Sequence, residues 1–312
     1  MSKRRTVASP TVLDLEHVLT SIVQSIEAPS AVHAFLSALP ASARSPPLAA
    51  LHELLEHPLR MTRIPFDCEQ RARSRMWPRL YLDELTPAAT ALVRDAMPVI
   101  AAAAGSNSSD GVPPDVDALA WLELWSVKLM QYTHKYHRDP RDLPRRCAIL
   151  RKCIRLTDVD LPHDTSVLEA VTTPAHRVAS ITASCIETDA SFLMALGRWL
   201  QSTHATSLTL EYQHMDRRAA VSAGLAPMLA KTTSLERLIL RSSVPGVVAP
   251  LVAVAPAFQR LTRLDITVHE ADKAALWSFL ERLNRTKLSS LRVVCNEMEL
   301  SLLVPSLRRS QP

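Results

Sequence analysis

A short apolar couplet returns at a nearly fixed interval through residues 151–294, and this restricts the fold more than any other feature of the chain. Its centres are Ile154/Leu156, Ile181/Ala183, Leu208/Leu210, Leu238/Leu240, Leu264/Ile266 and Leu291/Val293. From one couplet to the next the steps are 27, 27, 30, 26 and 27 residues. A constant period of this length marks a repeat architecture. Alternate residues of each couplet project to the same side, as on a strand. Between couplets the spacing is helical, for example Leu276, Phe279, Leu280 and Leu283. One strand and one helix cannot bury their apolar faces alone, whereas stacked units form a parallel sheet backed by helices over one continuous core. Each inward leucine then contributes about 1.5 to 3 kcal/mol when fully buried.

Around the later centres the pattern sharpens to L-x-x-L-x-L, at Leu235, Leu238 and Leu240, at Leu261, Leu264 and Ile266, and at Leu288, Leu291 and Val293. The last copy continues to Asn296 and Met298, completing L-x-x-L-x-L-x-x-N-x-L, while Gln213, Ser243 and His269 hold the asparagine position in other copies. This pattern resembles the leucine-rich repeat in its ribonuclease-inhibitor-like form, with degenerate copies. The resemblance implies an α/β fold, a curved solenoid over residues 80–312 with a concave parallel sheet.

If the couplets point inward, the residues beside them face out of that sheet. The expected outward columns are Cys153, Arg155, Thr157; Ser180, Thr182, Ser184; Ser207, Thr209, Glu211; Arg237, Ile239, Arg241; Arg263, Asp265, Thr267; and Ser290, Arg292, Val294. Solvated strand faces are normally polar, which accounts for the Ser/Thr columns. Arg237, Arg241, Arg263 and Arg292 are grouped more tightly than solvation requires, since parallel strands lie only about 4.8 Å apart. With Glu211 and Asp265 they are the expected partner-binding residues, receiving an acidic segment of a protein substrate through charge-assisted hydrogen bonds.

Ahead of the repeats, residues 12–60 read as a small helical bundle. Leu15, Val18, Leu19, Ile22, Val23 and Ile26 recur at three- and four-residue spacing, and Pro29-Ser30 breaks the helix and opens the next, which carries Val32, Phe35, Leu36 and Leu39. Residues 47–59 supply Leu48, Leu51, Leu54 and Leu55 to a third. The block resembles the F-box, with Leu13-Asp14-Leu15 where that family has Leu-Pro and without its usual tryptophan. The resemblance implies docking on a Skp1-like adaptor through Val18, Leu19, Ile22, Ile26, Val32 and Phe35, with the repeats holding a substrate for a ubiquitin ligase. The other reading is a helical cap closing the amino end of the repeat core, which every such array needs. A cap turns its apolar residues inward, whereas a docking module leaves some of them exposed.

Residues 1–11 are expected to form a disordered tail, and the arginine- and proline-rich residues 61–79 a linker. Leu80, Leu82 and Leu85 suggest an isolated first strand, Thr86-Pro87 a helix start, and Val99 to Ala103 a second strand. Gly105 to Pro114 reads as a loop and Val116 to Leu129 as a helix. The 54 residues from Ile100 to Ile154 are twice the repeat, read as one unit enlarged by an insertion and not as a hidden copy at Val127 and Leu129. Leu300 to Leu307 is expected to close the array as a helix.

The net charge of +5 is concentrated in Arg138 to Arg155, where seven Arg and Lys face Asp139 and Asp142, so no general polyanion-binding surface is indicated. With aromatics at 4%, stacking on single-stranded nucleic acid is disfavoured. The five cysteines are odd in number and contain no C-x-x-C, so neither a disulfide framework nor a zinc site is expected. No apolar segment follows the basic amino terminus, and the longest apolar run, Val244 to Phe258, is broken by three prolines. These features suit a soluble cytoplasmic protein, with Lys3-Arg4-Arg5 as the segment that could aid nuclear import.

Only five glycines are present, and no dinucleotide- or phosphate-cradling motif can be written with them. No hydrolase or zinc-protease signature occurs either. His134, His137 and Asp139 are close in sequence, but flanking cations oppose a divalent ion. Arg145 and Arg146 could lower the Cys147 thiol, which lacks a local base; a structural role is the simpler one. The expectation is a non-catalytic protein-interaction adaptor without cofactor or metal. The alternative is a leucine-rich-repeat scaffold with a helical cap and no ligase association; RNA binding through Arg138 to Arg155 lacks aromatic support.

Overall fold

The computed structural model describes residues 12–56, 79–107, 112–113, 115–134, 140–162, 164–185, 190–212, 228–229, 232–242, 246, 248–255, 258–283, 287–295 and 298–303. The tail, residues 57–78, Asn296, Gln213, Ser243, His137 and Asp139 lie outside them. The fold is α/β, and it divides into two compact units, Met1–Leu129 and Met130–Pro312. Among the described residues no helix is long and apolar enough to cross a membrane.

The first unit begins with α1 (Val12–Ser25), α2 (Pro29–Ala38) and α3 (Pro46–Glu56). Pro29 and Pro46 stand in the first turn of their helices, where a missing N–H costs nothing. Leu19, Val23, Val32, Leu36, Leu48, Leu51 and Leu54 are buried. Strand β1 (Arg79–Tyr81) pairs in parallel with β2 (Ala102–Ser106), and between them α4 (Pro87–Ala96) is capped by Thr86, whose hydroxyl accepts from Ala89 N at 3.3 Å. Gln24 Nε2 donates to Val99 O at 3.0 Å, tying α1 to the turn after α4. Gly105 lies in β2 and not in a loop; a Cβ there would come within 3.2 Å of Leu82 Cδ1, a tight contact to which that leucine would have to yield by a few tenths of an ångström. The expected helix over Val116 to Leu129 is shorter, α5 (Ala118–Trp125), because Asp117 caps it by accepting from Ala120 N.

The second unit carries β3 (Leu129–Thr133, which begins at the boundary), β4 (Asp158–Pro162), β5 (Ser180–Cys185), β6 (Ser207–Tyr212), β7 (Arg237–Ser242), β8 (Arg263–Val268), β9 (Ser290–Cys295) and β10 (Met298–Leu303). From β3 to β9 each strand pairs in parallel with the next in the chain, with α6 (Leu143–Lys152), α7 (Thr165–Val171) and α8 (Ala190–Leu200) in the connections between β3 and β6. The register joins Val159, Ile181, Leu208, Leu238, Leu264 and Leu291 in one row, and Leu161, Ala183, Leu210, Leu240, Ile266 and Val293 in another. Ile181, Leu208, Leu238 and Leu264, expected on neighbouring strands, are all fully buried there.

Three further expectations are corrected. The first couplet is Val159/Leu161, not Ile154/Leu156: α6 continues to Lys152, and the chain turns at Ile154, which is 55% exposed, before β4 begins. Cys153 is consequently buried at the end of α6, and its thiol is not on the sheet face. The 54-residue interval holds no enlarged unit but the strand β3, whose Tyr132 pairs with Val159 27 residues later. At the other end residues 300–303 belong to β10, antiparallel to β9, instead of opening a helix.

Hydroxyls just ahead of the strands bind the segment that leads into or opens the preceding strand. Thr157 donates to Met130 O at 3.1 Å, Thr206 to Ala179 O at 3.2 Å, Thr262 to Glu236 O at 3.0 Å and Ser289 to Thr262 O at 3.0 Å. Each of these carbonyls also accepts the backbone N–H of the same threonine or serine, so one residue clamps the preceding segment twice. Deeper in, Trp199 Nε1 donates to Val178 O at 2.9 Å and Ser234 Oγ to Ala205 O at 2.8 Å. These two bonds occupy carbonyls that lie where strand and helix layers meet and a backbone acceptor needs a partner.

Candidate interaction surfaces

On the sheet of the second unit, alternation sends one set of residues into the core and leaves the other on the open face. The outward row at the start of the strands runs Asp158, Ser180, Ser207, Arg237, Arg263, Ser290. The next runs Asp160, Thr182, Thr209, Ile239, Asp265, Arg292, and the third holds Ser184, Glu211, Arg241, Thr267 and Val294. All four arginines therefore share this face, but not in the same state. Arg241 donates to Glu211 Oε1 at 2.8 Å, and the Arg292 guanidinium is 3.6 Å from Asp265 Oδ2. Arg237 and Arg263, exposed register partners on β7 and β8, have no ion pair among the described residues. Asp265 is only 3% exposed, and its Oδ1 has no hydrogen-bond partner among the described residues, so it backs Arg292 and does not reach out for a ligand.

Correcting the first strand reverses the charge at one side of this face. Where the repeat spacing predicts Arg155, β4 places the half-exposed Asp158 and Asp160. The alternation in Asp158-Val159-Asp160-Leu161-Pro162 is the signal for this strand, and the helical apolar spacing that runs through Ile154 hides it.

In the first unit the expected docking residues separate. Leu19 and Val32 are buried in the bundle, Ile26 and Phe35 are half-buried, and Val18 and Ile22 are 54% and 37% exposed. Leu15, outside the expected docking set, is 50% exposed. Leu15, Val18 and Ile22 follow the helical spacing of one face of α1, an exposed apolar stripe along the flank of the buried Leu19 and Val23.

Among the described residues, His33, His52 and Glu56 bring three potential metal-ligand atoms within 4.8 Å of one another. The chemistry around His52 opposes a metal. An Arg44 guanidinium nitrogen lies 3.1 Å from His52 Nδ1 and can only donate, which places the ring proton on Nε2, facing Ser37 Oγ at 3.0 Å. That nitrogen has no lone pair left for an ion. The His33 and His52 rings are stacked 5.0 Å apart at 7°, so their planes do not converge on one point. Burial, then Arg44, holds the His52 pKa below its ordinary value.

His134, for which the sequence predicts no metal-binding role, is buried with Nδ1 3.2 Å from Tyr132 OH and Nε2 3.7 Å from Asp164 Oδ2. Burial, then Asp164, raises the Cys147 thiol despite Arg151 and Arg146, so the lowering that neighbouring cations could supply loses to desolvation. Burial likewise pushes Cys153 up to about 12. A cleft of about 330 Å³ opens beside the ends of α7 and α8, but several of its polar groups are engaged: His176 bonds Leu150 O and Thr173, and Trp199 bonds Val178 O. These groups do not call for a ligand.

No protein-family model matches the chain, and no curated protein matches it.

Proposed function

We propose that the chain is a non-catalytic adaptor of the F-box and leucine-rich-repeat kind. In this reading α1 to α3 dock on a Skp1-like adaptor, and the strands of the second unit form the concave face of a curved solenoid that selects a protein substrate for ubiquitin transfer. The observation that carries it is the stripe Leu15, Val18 and Ile22. A helix serving only as a cap would turn these residues inward, and about half of each of the first two is in water instead. Arg237 and Arg263, without an ion pair among the described residues, support an acidic segment on the substrate, since charge-assisted hydrogen bonds to carboxylates are stronger than neutral ones.

The test is gel-filtration co-elution of the full chain with a purified Skp1-like adaptor, beside the variant Leu15→Glu/Val18→Glu. The expected result is a complex with the wild type that the variant does not form while keeping its circular dichroism. Failure of the wild type to bind returns the scaffold with a helical cap; equal binding by the variant removes the stripe as the contact.

A further inference from the structure

The open sheet face carries a pair of like charges that no carboxylate balances among the described residues. Arg237 on β7 and Arg263 on β8 are register partners, both exposed, and neighbouring parallel strands are only about 4.8 Å apart, so the two cations repel. The carboxylates close to them in register or sequence answer to other arginines: Glu211 to Arg241 at 2.8 Å, Glu236 to Arg260 at 3.1 Å and Asp265 to Arg292 at 3.6 Å. Ser207 and Ser290 flank the pair in its own row, half-exposed and short enough to leave it open to a ligand. The next outward residue along β7 is Ile239, half-exposed, with Thr209 and Asp265 as its register partners. It is the one apolar side chain in its row, which runs Asp160, Thr182, Thr209, Ile239, Asp265, Arg292.

We infer that the partner segment received on this face runs alongside β7 and carries an acidic and an aliphatic residue two positions apart, the first over Arg237 and Arg263 and the second over Ile239. The inference rests on the partner-binding reading of the face and adds the sequence pattern and the path of what is bound. Arg237 and Ile239 are two residues apart on an extended strand, a separation of about 6.6 Å, and an extended ligand repeats that spacing along one of its own sides. A carboxylate set between the two guanidiniums relieves their repulsion and accepts from both, with the serine hydroxyls as further donors. An aliphatic side chain resting on Ile239 takes apolar surface of both residues out of water. A segment laid across the strands would instead follow the row Ser180, Ser207, Arg237, Arg263, Ser290, which offers it no apolar contact.

The probes are fluorescein-labelled synthetic peptides of Ser and Gly that differ only in their core: Asp-Ser-Leu, Asp-Leu-Ser, which sends the two side chains to opposite sides of an extended chain, and Asp-Ser-Ser. Fluorescence anisotropy with the full chain at low salt reads their binding. The Asp-Ser-Leu peptide is expected to bind tightest. Arg237→Gln/Arg263→Gln should weaken all three about fivefold, the effect of two exposed charge pairs. Ile239→Ser should weaken Asp-Ser-Leu about threefold, the effect of losing roughly 25 Å² of apolar contact, and leave Asp-Ser-Ser unchanged. Equal binding of the three peptides, or an Ile239→Ser effect of the same size on Asp-Ser-Leu and Asp-Ser-Ser, overturns the inference and leaves the acidic-substrate reading standing. Binding of no peptide, or binding indifferent to the arginine substitutions, removes both.

Discussion

Leu238→Ala is the sharpest probe of the row that joins the second unit. Its side chain is fully buried on β7, in register with Leu208 and Leu264, which are fully buried as well. Removing three carbons from such a site takes away their transfer free energy and leaves a cavity that rigid neighbouring strands cannot close. The cost is about 2.7 to 5 kcal/mol, a large share of the roughly 5 to 15 kcal/mol that holds a domain folded. In a sheet whose strands follow chain order, the loss should stay local, because each strand contacts only its neighbours. Urea denaturation would give the magnitude, and hydrogen exchange read by mass spectrometry the place. Amides of β6, β7 and β8 should lose protection before those of β4 and β9. Ile239→Ala, one residue along on the half-exposed face, should cost well under half as much. Equal costs at 238 and 239, or a loss of protection spread evenly over all the strands, would refute the reasoning.

Other outcomes follow from particular contacts. Asp272 is buried, and its carboxylate accepts from the exposed Gly246 N at 2.8 and 3.0 Å; Asp272→Ala removes this charge-assisted bond and should cost about 1.5 to 3 kcal/mol by urea denaturation. Gly246 has φ +85° with nothing within 4 Å of the place a Cβ would take, so Gly246→Ala should lose about 1 to 2 kcal/mol from backbone strain alone. Burial holds the His176 pKa below its usual 6.5, so the unfolded chain takes up its proton first as pH falls. The stability this histidine contributes is therefore present above pH 6.5 and is lost as pH drops through its lower folded value; the melting temperature should fall across that window, and less so in His176→Gln. Cys153, with its thiol pushed up to about 12, should resist iodoacetamide at pH 8 in the native chain and react on unfolding.

Much of this arrangement is legible in the sequence. Periodicity alone places five consecutive strands, β5 to β9, in their correct order and with the correct face inward, because a side-chain period of two leaves no freedom once one face is buried. The same periodicity fails at Ile154, where a helix, a turn and a strand follow closely and apolar residues satisfy both helical and extended spacing. It also passes over β3, whose inward Tyr132 is not a leucine but fills the same place in the row. In the bundle, the spacing of α1 marks which residues are apolar, not which of Leu15, Val18, Leu19 and Ile22 meet another helix.

Local sequence thus determined the α/β character, the repeat of strand and helix, and the chemistry of each outward column, all of which depend on residues near one another in the chain. Tertiary structure decided the charge pattern of the open face. Whether an arginine is neutralised depends on a neighbour about 27 to 30 residues away, as with Arg241 on Glu211 and Arg292 on Asp265. Whether an aspartate or an arginine stands on β4 depends on where α6 stops. Register across strands, which no local pattern encodes by itself, leaves Arg237 beside Arg263 with nothing among the described residues to balance them.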